Sequence, residues 1–417
     1  MEKREAGRLL CDFLSGRNIP EARLEILSPA DRESLADWAL CFKVGGLFYR
    51  EIKSRNIPTA LIPADVKNRL RDAYRDHATI NTSLFFDASK VFKSLADNQL
   101  PVIALKGLSL AKSIYGDIAL RPMSDIDLLL KEKDLVRAGR ILLTLGYEQR
   151  FPAWESMLKT HHHLPPFTNK NGAKIELHWN IVTPDSPIKV DLDGLWERAC
   201  LIKVDHVEVR ALSPEDLFLH LCIHACFHMQ TIYCHGLDLI PLCDMAGLIK
   251  TSADKIDWQI VIERATRWGG QKCVYLMLLL VRELLGTAPP DKIISEIKPA
   301  DYQSVFFDEA MEQILDVSPS GQLIRRIGRL SKIKKAKGIK GKVLALLKEA
   351  FPSREYLAGI YPVSVSSPKI YLCYLFRLGR LIVYYIMLLR LFRRDQSVIK
   401  AVHYEHRASA VSDWMFS

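Results

Sequence analysis

The sequence predicts an α+β fold: a small mixed sheet flanked by helices, with a helical lobe at each end of the chain. Alternation of apolar and polar residues is concentrated between residues 98 and 210, whereas apolar residues recur at helical spacing before and after that stretch. We therefore expect five segments. They are an N-terminal helical lobe (1–97), an α/β core (98–210), a second helical lobe (211–320), a basic linker or helix (321–350) and a C-terminal helical tail (351–417).

The first segment is predicted to contain helices only, because its apolar residues follow the helical period. The expected helices start at Leu9–Leu14 and continue with Asp31–Ile52, Ala64–Tyr74 and Asn81–Leu95. Pro58 and Pro63 separate the second of these from the third. No residue of this lobe suggests chemistry, so we expect it to pack beside the sheet.

The composition is that of an ordinary globular protein, with 49% hydrophobic and 25% charged residues. Nine cysteines are scattered without a CxxC pair, which favours reduced thiols in a cytoplasmic protein over a disulfide framework or a zinc site. The segment MEKREAGRLLCDFL at the start is charged and lacks an apolar run, so we expect no secretory signal.

Two aspartates open the strand on which we expect the chemistry to depend. This stretch contains, in order, a short apolar strand, the residue Lys106, an amphipathic helix over Leu108–Tyr115 and a second strand. Because strand side chains alternate between faces, Asp125 and Asp127 share one face, roughly 6–7 Å apart. Such carboxylates repel unless a cation lies between them, and Mg²⁺ suits the position because it leaves sites open for phosphate oxygens. The alternative is an edge strand whose aspartates face water, but the run Leu128–Leu130 is typical of a buried strand.

A third acid occurs in similar surroundings. The segment Ala173–Trp179 alternates so that Glu176 and His178 share one face, and a carboxylate on an otherwise apolar strand is costly unless it is paired or metal-bound. An Asn-Gly turn at 171–172 predicts an antiparallel pair with the preceding strand. Glu176 would then complete an Asp–Asp–Glu triad. Of the three histidines in a row before that pair, we expect His163 to point at the site and its two neighbours to be solvated.

The order of these motifs resembles one protein family. The pattern runs LKG, YGD, RPMSDIDLL and ELHW, followed by SPEDLFLHLCIHACFH at 213–228 and LDLIPLCDMAGLI at 237–249. It is similar to uncharacterised bacterial nucleotidyltransferase-like proteins within the DNA polymerase β-like nucleotidyltransferase superfamily, over residues 20–360. The sequence departs from the superfamily pattern in three ways: Lys106-Gly107 stands in place of Gly-Ser, Ser109 comes two residues after the glycine, and a helix is inserted before the aspartates.

The resemblance implies a nucleotidyltransferase-type sheet in a catalytic core (98–210), with 211–320 as a substrate-binding lobe. It implies a Mg²⁺- or Mn²⁺-dependent transfer of a nucleoside monophosphate from an NTP such as ATP to a hydroxyl of a small molecule, a sugar or a protein. In a two-metal mechanism the catalytic, metal-binding residues would be Asp125, Asp127 and Glu176, with Glu176 also a candidate general base. The residues expected to contact the nucleotide, its cation or the acceptor are Lys106, Gly107, Ser109, Arg121, Ser124 and His178.

A helix capped by Ser213 carries three histidines on one face. His220, His224 and His228 are spaced i, i+4, i+8. Zinc binding is one interpretation, although the acid that zinc proteases place between such histidines is absent. The other is a polar stripe that faces the cleft, a substrate or a partner helix. Asp244, in an apolar run, is expected to pair with one of these histidines or with a basic group.

The net charge of +10 is local, because residues 321–348 hold ten Lys or Arg and no acid. Such a cluster can bind nucleic acid, anionic lipid or an acidic partner, or it can be a solvated linker. Further on, Ile370–Arg394 is apolar, but its longest uncharged run, Leu381–Leu389, is too short to span a membrane. We expect a helix that is buried or contacts a second copy, or one that lies on an anionic membrane. The protein is expected to be cytoplasmic, with membrane contact only through this tail.

Other function classes stay open at this stage. The same fold and acids would serve a phosphotransferase or a phosphocholine-type transferase with a different donor. An inactive binding or adaptor protein is a second alternative, disfavoured by the three intact acids. A nucleic-acid-modifying enzyme is a third, suggested by the basic cluster, although the sequence has no RRM or KH signature.

Overall fold

One mixed sheet forms the centre of the fold. The computed structural model describes residues 3–149, 157–159, 161–204, 206–231, 239–315, 338–354, 357, 361, 363, 366–392 and 409–417. The strands within these residues are β1 (Ile103–Ala104), β2 (Ile126–Leu129), β3 (Phe167–Thr168), β4 (Lys174–His178), β5 (Cys200–Val204) and β6 (Val207–Ala211). They follow the order β3-β4-β2-β1-β6-β5.

The pairing of the strands is mixed, as the sequence predicted. β1 is antiparallel to β2 and parallel to β6, and β2 is parallel to β4. The β3–β4 and β5–β6 pairs are antiparallel. Every residue of β2 is buried, including Asp127, so the interpretation as a solvated edge strand is wrong. With helical segments on both sides of this sheet in the sequence, the expected α+β class is confirmed.

The N-terminal segment is helical, with boundaries that differ from the expected ones. Its helices are α1 (Lys3–Ser15), α2 (Glu21–Glu25), α3 (Pro29–Cys41), α4 (Gly45–Ser54) and α5 (Ala64–Asp97). The single helix expected over 31–52 is interrupted after Cys41, because Lys43 adopts a φ of +60° that a helix does not accommodate. The two helices expected over 64–74 and 81–95 are one helix, since no Gly or Pro between them ends it.

Nine more α-helices within the described residues, up to residue 315, flank the sheet and build the second lobe. They are α6 (Gly107–Ser113), α7 (Leu135–Thr144), α8 (Leu192–Glu197), α9 (Pro214–Thr231), α10 (Leu239–Thr251), α11 (Trp258–Trp268), α12 (Gln271–Leu285), α13 (Asp291–Glu296) and α14 (Ser304–Leu315). One apolar cluster packs α5, α6 and α7 on the sheet, for example through Phe92, Ile126 and Leu142. A second joins α1, α3 and α4 to α9, α10 and α12, so the N-terminal helices and the second lobe share a core.

Two further helices lie in the C-terminal part, α15 (Gly338–Ala350) and α16 (Ile370–Phe392). Most of the basic cluster falls in 316–337, outside the described residues, so its expected role is a prediction that the structure does not reach. Leu375, Phe376 and Val383 of α16 are each at least 65% exposed. Within the part of the chain that is described, no helix combines the length and apolarity needed to span a membrane.

Candidate active site

Two carboxylates from neighbouring strands lie side by side. β2 and β4 run parallel with Asp127 opposite Glu176, so both side chains project from one face of the sheet. His178, two residues further along β4, shares that face. Its Nε2 atom lies 3.1 Å from Oδ1 of Asp127 and 3.6 Å from Oε2 of Glu176. The third acid therefore lies beside the aspartate strand, where the alternation of the sequence placed it.

The β3–β4 hairpin holds Glu176 in this register. Its turn lies at the predicted Asn-Gly pair, where Gly172 has a φ of +83° that residues other than glycine rarely adopt. Asn169 closes the hairpin, because its backbone N–H donates to the carbonyl of Ala173 and its side-chain oxygen accepts from the N–H of Asn171. A slip of one residue at this turn would turn Glu176 to the opposite face.

Lys106 brings positive charge to the carboxylates from the turn between β1 and α6. Its φ of +34° and ψ of −103° lie outside the usual regions for a residue with a side chain, and such strain is often found at functional sites. The Nζ atom lies 3.0 Å from Oδ2 of Asp127 and 2.9 Å from Nε2 of His224 in α9. The lysine therefore links the sheet to the second helical lobe.

The ionisation of the cluster follows from these contacts. Burial alone would raise the pKa of Asp127, but the Lys106 ammonium and the hydrogen bond to His178 outweigh it and hold that pKa well below its usual range. Burial opposes a charge on His178 too, yet hydrogen bonds to Asp127 and Glu176 raise its pKa. Burial, followed by repulsion from Asp127 and Glu176, raises the pKa of Asp125. An additional cation would relieve this repulsion.

The donor set suits a divalent cation. Among the described residues, Asp127, Glu176 and His178 form a group whose ligand atoms all lie within 4.8 Å of one another. Two carboxylates and one imidazole are ordinary ligands for such an ion. Asp125 lies outside this group, and its Oδ2 accepts a hydrogen bond of 3.1 Å from Ser124. Its expected role as a metal ligand stays a prediction, and His178, which the sequence assigned to orienting the acceptor or a carboxylate, is a candidate ligand.

Arg121 is engaged in a buried ion pair. Its Nε donates to Oδ1 of Asp244 at 3.0 Å and its Nη2 donates to Oδ2 at 2.9 Å, while Tyr115 donates its hydroxyl to Oδ1 at 2.8 Å. Asp244 thus pairs with a basic group, one of its two expected kinds of partner. A phosphate contact would have to use Nη1, which takes no part in this pair, so that assignment stays a prediction.

The loop before β2 is also fastened to the N-terminal helices. Asn81 of α5 is fully buried, and its amide donates to the carbonyl oxygens of Ile118 and Arg121 at 2.5 Å and 2.7 Å. This side chain holds the loop that leads to Ser124 and Asp125. The helical lobe thereby contributes to the position of the site without supplying an acid or a base to it.

The remaining residues expected at the nucleotide lie around the start of α6. Gly107 is its first residue, and a Cβ atom there would come within 2.8 Å of Sδ of Met123 and 3.2 Å of Nη1 of Arg121. The close approach of this loop explains the glycine. Ser109 is buried within α6, and Ser124 lies next to Asp125 on the approach to β2.

Two histidines of the 161–163 run lie near the site. The Nδ1 atom of His163 is 3.7 Å from Oε2 of Glu176, and His163 forms a β-bridge with His178, so it points at the site as expected. His162 differs from the expectation, because its ring centroid is 5.4 Å from that of His178. Burial, with a smaller effect from His178, lowers the pKa of His162 to about 3.

The histidine stripe of α9 faces the same cluster. His228 Nε2 lies 3.0 Å from His224 Nε2, which in turn contacts Lys106. His220 is 2% exposed, and neither of its ring nitrogens has a hydrogen-bond partner. Burial, followed by the charge of Lys106, lowers the pKa of both His220 and His224 well below the ordinary value. Among the described residues no three-ligand group includes the stripe, which favours a polar stripe that faces the cleft over a zinc site.

The class of the protein, a nucleotidyltransferase, follows from a comparison with protein families. The chain belongs to a particular family within that class, because a family model described as "Uncharacterised nucleotidyltransferase" matches residues 28–286. The match covers both carboxylate strands, Lys106 and the histidine stripe. It confirms the resemblance drawn from the motifs and makes the protein a transferase. No curated protein and no solved structure matches the chain.

Proposed function

We propose that this protein transfers a nucleoside monophosphate from an NTP to a hydroxyl-bearing acceptor in a Mg²⁺- or Mn²⁺-dependent reaction. The observation that carries the proposal is the register of β2 and β4, which sets Asp127 beside Glu176 on one face. The family supports the class of reaction, and the close donor set of Asp127, Glu176 and His178 supports its dependence on a cation.

In the proposed reaction the acceptor oxygen forms a bond to the α-phosphorus while the bond from that phosphorus to the bridging oxygen of the β-phosphate breaks. Pyrophosphate leaves with the electron pair of that bond. Glu176 is proposed to take the proton of the acceptor hydroxyl, because its side chain is 22% exposed and therefore open to a substrate. His163, 3.7 Å from Oε2, is placed to orient that carboxylate.

Asp127, Glu176 and His178 would hold the cation, which would supply positive charge to the phosphate oxygens and lower the pKa of the acceptor hydroxyl. Asp125 keeps its predicted role as a further ligand. Whether Asp125 adds a second cation, as the two-metal expectation has it, stays a prediction. The raised pKa of Asp125 supports that part of the proposal, because repulsion from its two neighbours would diminish on binding.

Lys106 and the start of α6 are the proposed contacts of the triphosphate. The side chain of Lys106 is 13% exposed and its Nζ atom lies next to the candidate cation site, so its charge would act on the same phosphate oxygens. Gly107 allows the nucleotide to approach the backbone closely. Ser109, Ser124 and Arg121 keep their predicted nucleotide contacts as part of this proposal.

The decisive experiment uses the position of the label. The protein is incubated with Mg²⁺ or Mn²⁺ and with each NTP labelled at either the α- or the γ-phosphate, with and without cell lysate. Transfer of α-label to a lysate component, lost in Asp127→Asn, supports the proposal. Transfer of γ-label alone identifies a phosphotransferase. Absence of any transfer and of NTP binding would leave a binding or adaptor protein and would overturn the proposal.

The location and further partners are part of the proposal as well. We propose a cytoplasmic enzyme, supported by cysteines that are free throughout the described residues. The basic cluster at 325–348 and the exposed apolar residues of α16 are the proposed contacts to an anionic surface. Sedimentation of the protein with anionic vesicles, but not with neutral ones, would support that contact.

A further inference from the structure

We infer that His178 is a direct nitrogen ligand of the catalytic cation and that the site therefore prefers a transition-metal dication such as Mn²⁺ to Mg²⁺. This inference rests on the proposed function and adds the identity of the ion to it. The expected set for such a site is carboxylate oxygen alone, and Mg²⁺ binds oxygen in near-ideal octahedral geometry. An imidazole ligand instead favours first-row transition metals.

The geometry of His178 carries the inference. Its Nε2 atom faces Oδ1 of Asp127 at 3.1 Å and Oε2 of Glu176 at 3.6 Å. Neighbouring ligands of an octahedral ion with bonds of 2.0–2.1 Å are about 3 Å apart. The Nε2–Oδ1 separation matches that of neighbouring ligands, and Oε2 of Glu176 would have to move closer to join the same ion. The ring is held in this position, because its side chain is 5% exposed and belongs to a central strand.

Lys106 leaves the proposed position free. Its Nζ atom binds Oδ2 of Asp127, the other oxygen of that carboxylate, at 3.0 Å. The oxygen Oδ1 is therefore the one directed toward His178. A cation bound to Oδ1 and to Nε2 of His178 would take the place of the proton that Nε2 donates to Oδ1, which would be released to solvent, and would not need to displace the lysine.

A second observation concerns a histidine of α9. His220 is 2% exposed with two unpartnered ring nitrogens, and the charges of Lys106, Asp127 and His178 act on it. A buried polar ring without a partner is costly unless a ligand or ordered water satisfies it. Imidazole of α9 also reaches the edge of the site, because His224 contacts Lys106 at 2.9 Å.

Electron spin echo envelope modulation of the Mn²⁺-loaded protein tests the inference directly, because ¹⁴N modulation reports a bound imidazole without nucleotide or turnover. We expect ¹⁴N modulation in the wild type and its loss in His178→Gln. The same substitution should weaken Mn²⁺ binding by about tenfold or more, measured by the free Mn²⁺ signal, and change Mg²⁺ binding much less. His206→Gln, at an exposed position, is the matched control and should change neither.

Wild-type Mn²⁺ protein without ¹⁴N modulation would overturn the inference, and so would modulation that persists in His178→Gln, which would assign the nitrogen to another histidine. If His178→Gln does not fold, His178→Asn takes its place, and modulation that persists in that variant overturns the inference in the same way. Failure of nucleotidyl transfer would overturn the proposed function alone, since the spectrum requires only the bound ion.

Discussion

Replacing Asp244 with asparagine tests whether Arg121 is structural or is free to bind phosphate. The substitution removes one negative charge and keeps the size of the side chain. It leaves the guanidinium of Arg121 without its counter-charge. Both side chains are buried, Arg121 with 11% and Asp244 with 1% of its side chain exposed. It also removes one of the two oxygens that receive the parallel N–H donors of Arg121.

The expected cost is large because the pair is buried. Removing one partner of a buried ion pair typically costs about 3–5 kcal/mol, whereas replacing both partners with apolar groups is often close to neutral. We expect Asp244→Asn near the lower end, about 3 kcal/mol, because the amide oxygen can still accept a hydrogen bond from Tyr115. With an unfolding entropy of about 2.1 cal/mol/K per residue, a chain of 417 residues should lose roughly 3–4 °C of melting temperature.

Urea unfolding followed by circular dichroism measures this free energy. Arg121→Met combined with Asp244→Leu should recover most of the loss, since no charge remains buried. Asp97→Asn, which breaks the exposed Lys93–Asp97 pair, is the control and should leave the midpoint unchanged within error. If Asp244→Asn costs less than about 1 kcal/mol and weakens NTP binding, the structural role is refuted. Arg121 would then be assigned to a phosphate contact.

Three further outcomes are expected for metal-free protein in EDTA. Asp127→Asn should lower the free energy of unfolding by about 3 kcal/mol, because it leaves the buried ammonium of Lys106 without its carboxylate. Asp125→Asn should instead raise the melting temperature, since it removes a half-buried carboxyl that its neighbours repel. Equal melting of the two variants would contradict both predictions. His162 has a depressed folded-state pKa, so its contribution to stability is complete above about pH 6.5 and is lost as the pH falls toward 3. His162→Gln should flatten that decline, by up to about 1.4 kcal/mol per pH unit, in urea titrations in which exposed His206→Gln follows the wild type.

The carboxylate pair was predictable because strand alternation is a local property. Asp127 and Glu176 each lie on the face that period-2 patterning assigns, and the Asn-Gly turn at 171–172 was readable for the same reason. The length of α5 was not predicted correctly, because the polar stretch between residues 74 and 81 weakens the apolar period without containing a helix breaker.

The partners of the basic residues could not be predicted from local pattern. Lys106 contacts His224, and Arg121 contacts Asp244, each across more than 110 positions in the chain. Sequence spacing shows that a histidine stripe and a buried acid need partners, but only the packing of α9 and α10 against the sheet decides which ones. His162 was expected to be solvated, whereas its ring centroid lies 5.4 Å from that of His178 in β4, a contact that local pattern does not reveal.

Through the side chain of Asn81, the helical lobe supports the loop that leads to the candidate site. Asn81 is fully buried, and it donates two hydrogen bonds to carbonyl oxygens in the loop before β2. A chain that began at residue 98 would keep every acid and base of the candidate site, yet these two carbonyls would lose their donor. The boundary between the helical lobe and the core therefore separates the candidate site from a side chain that holds one of its loops in place.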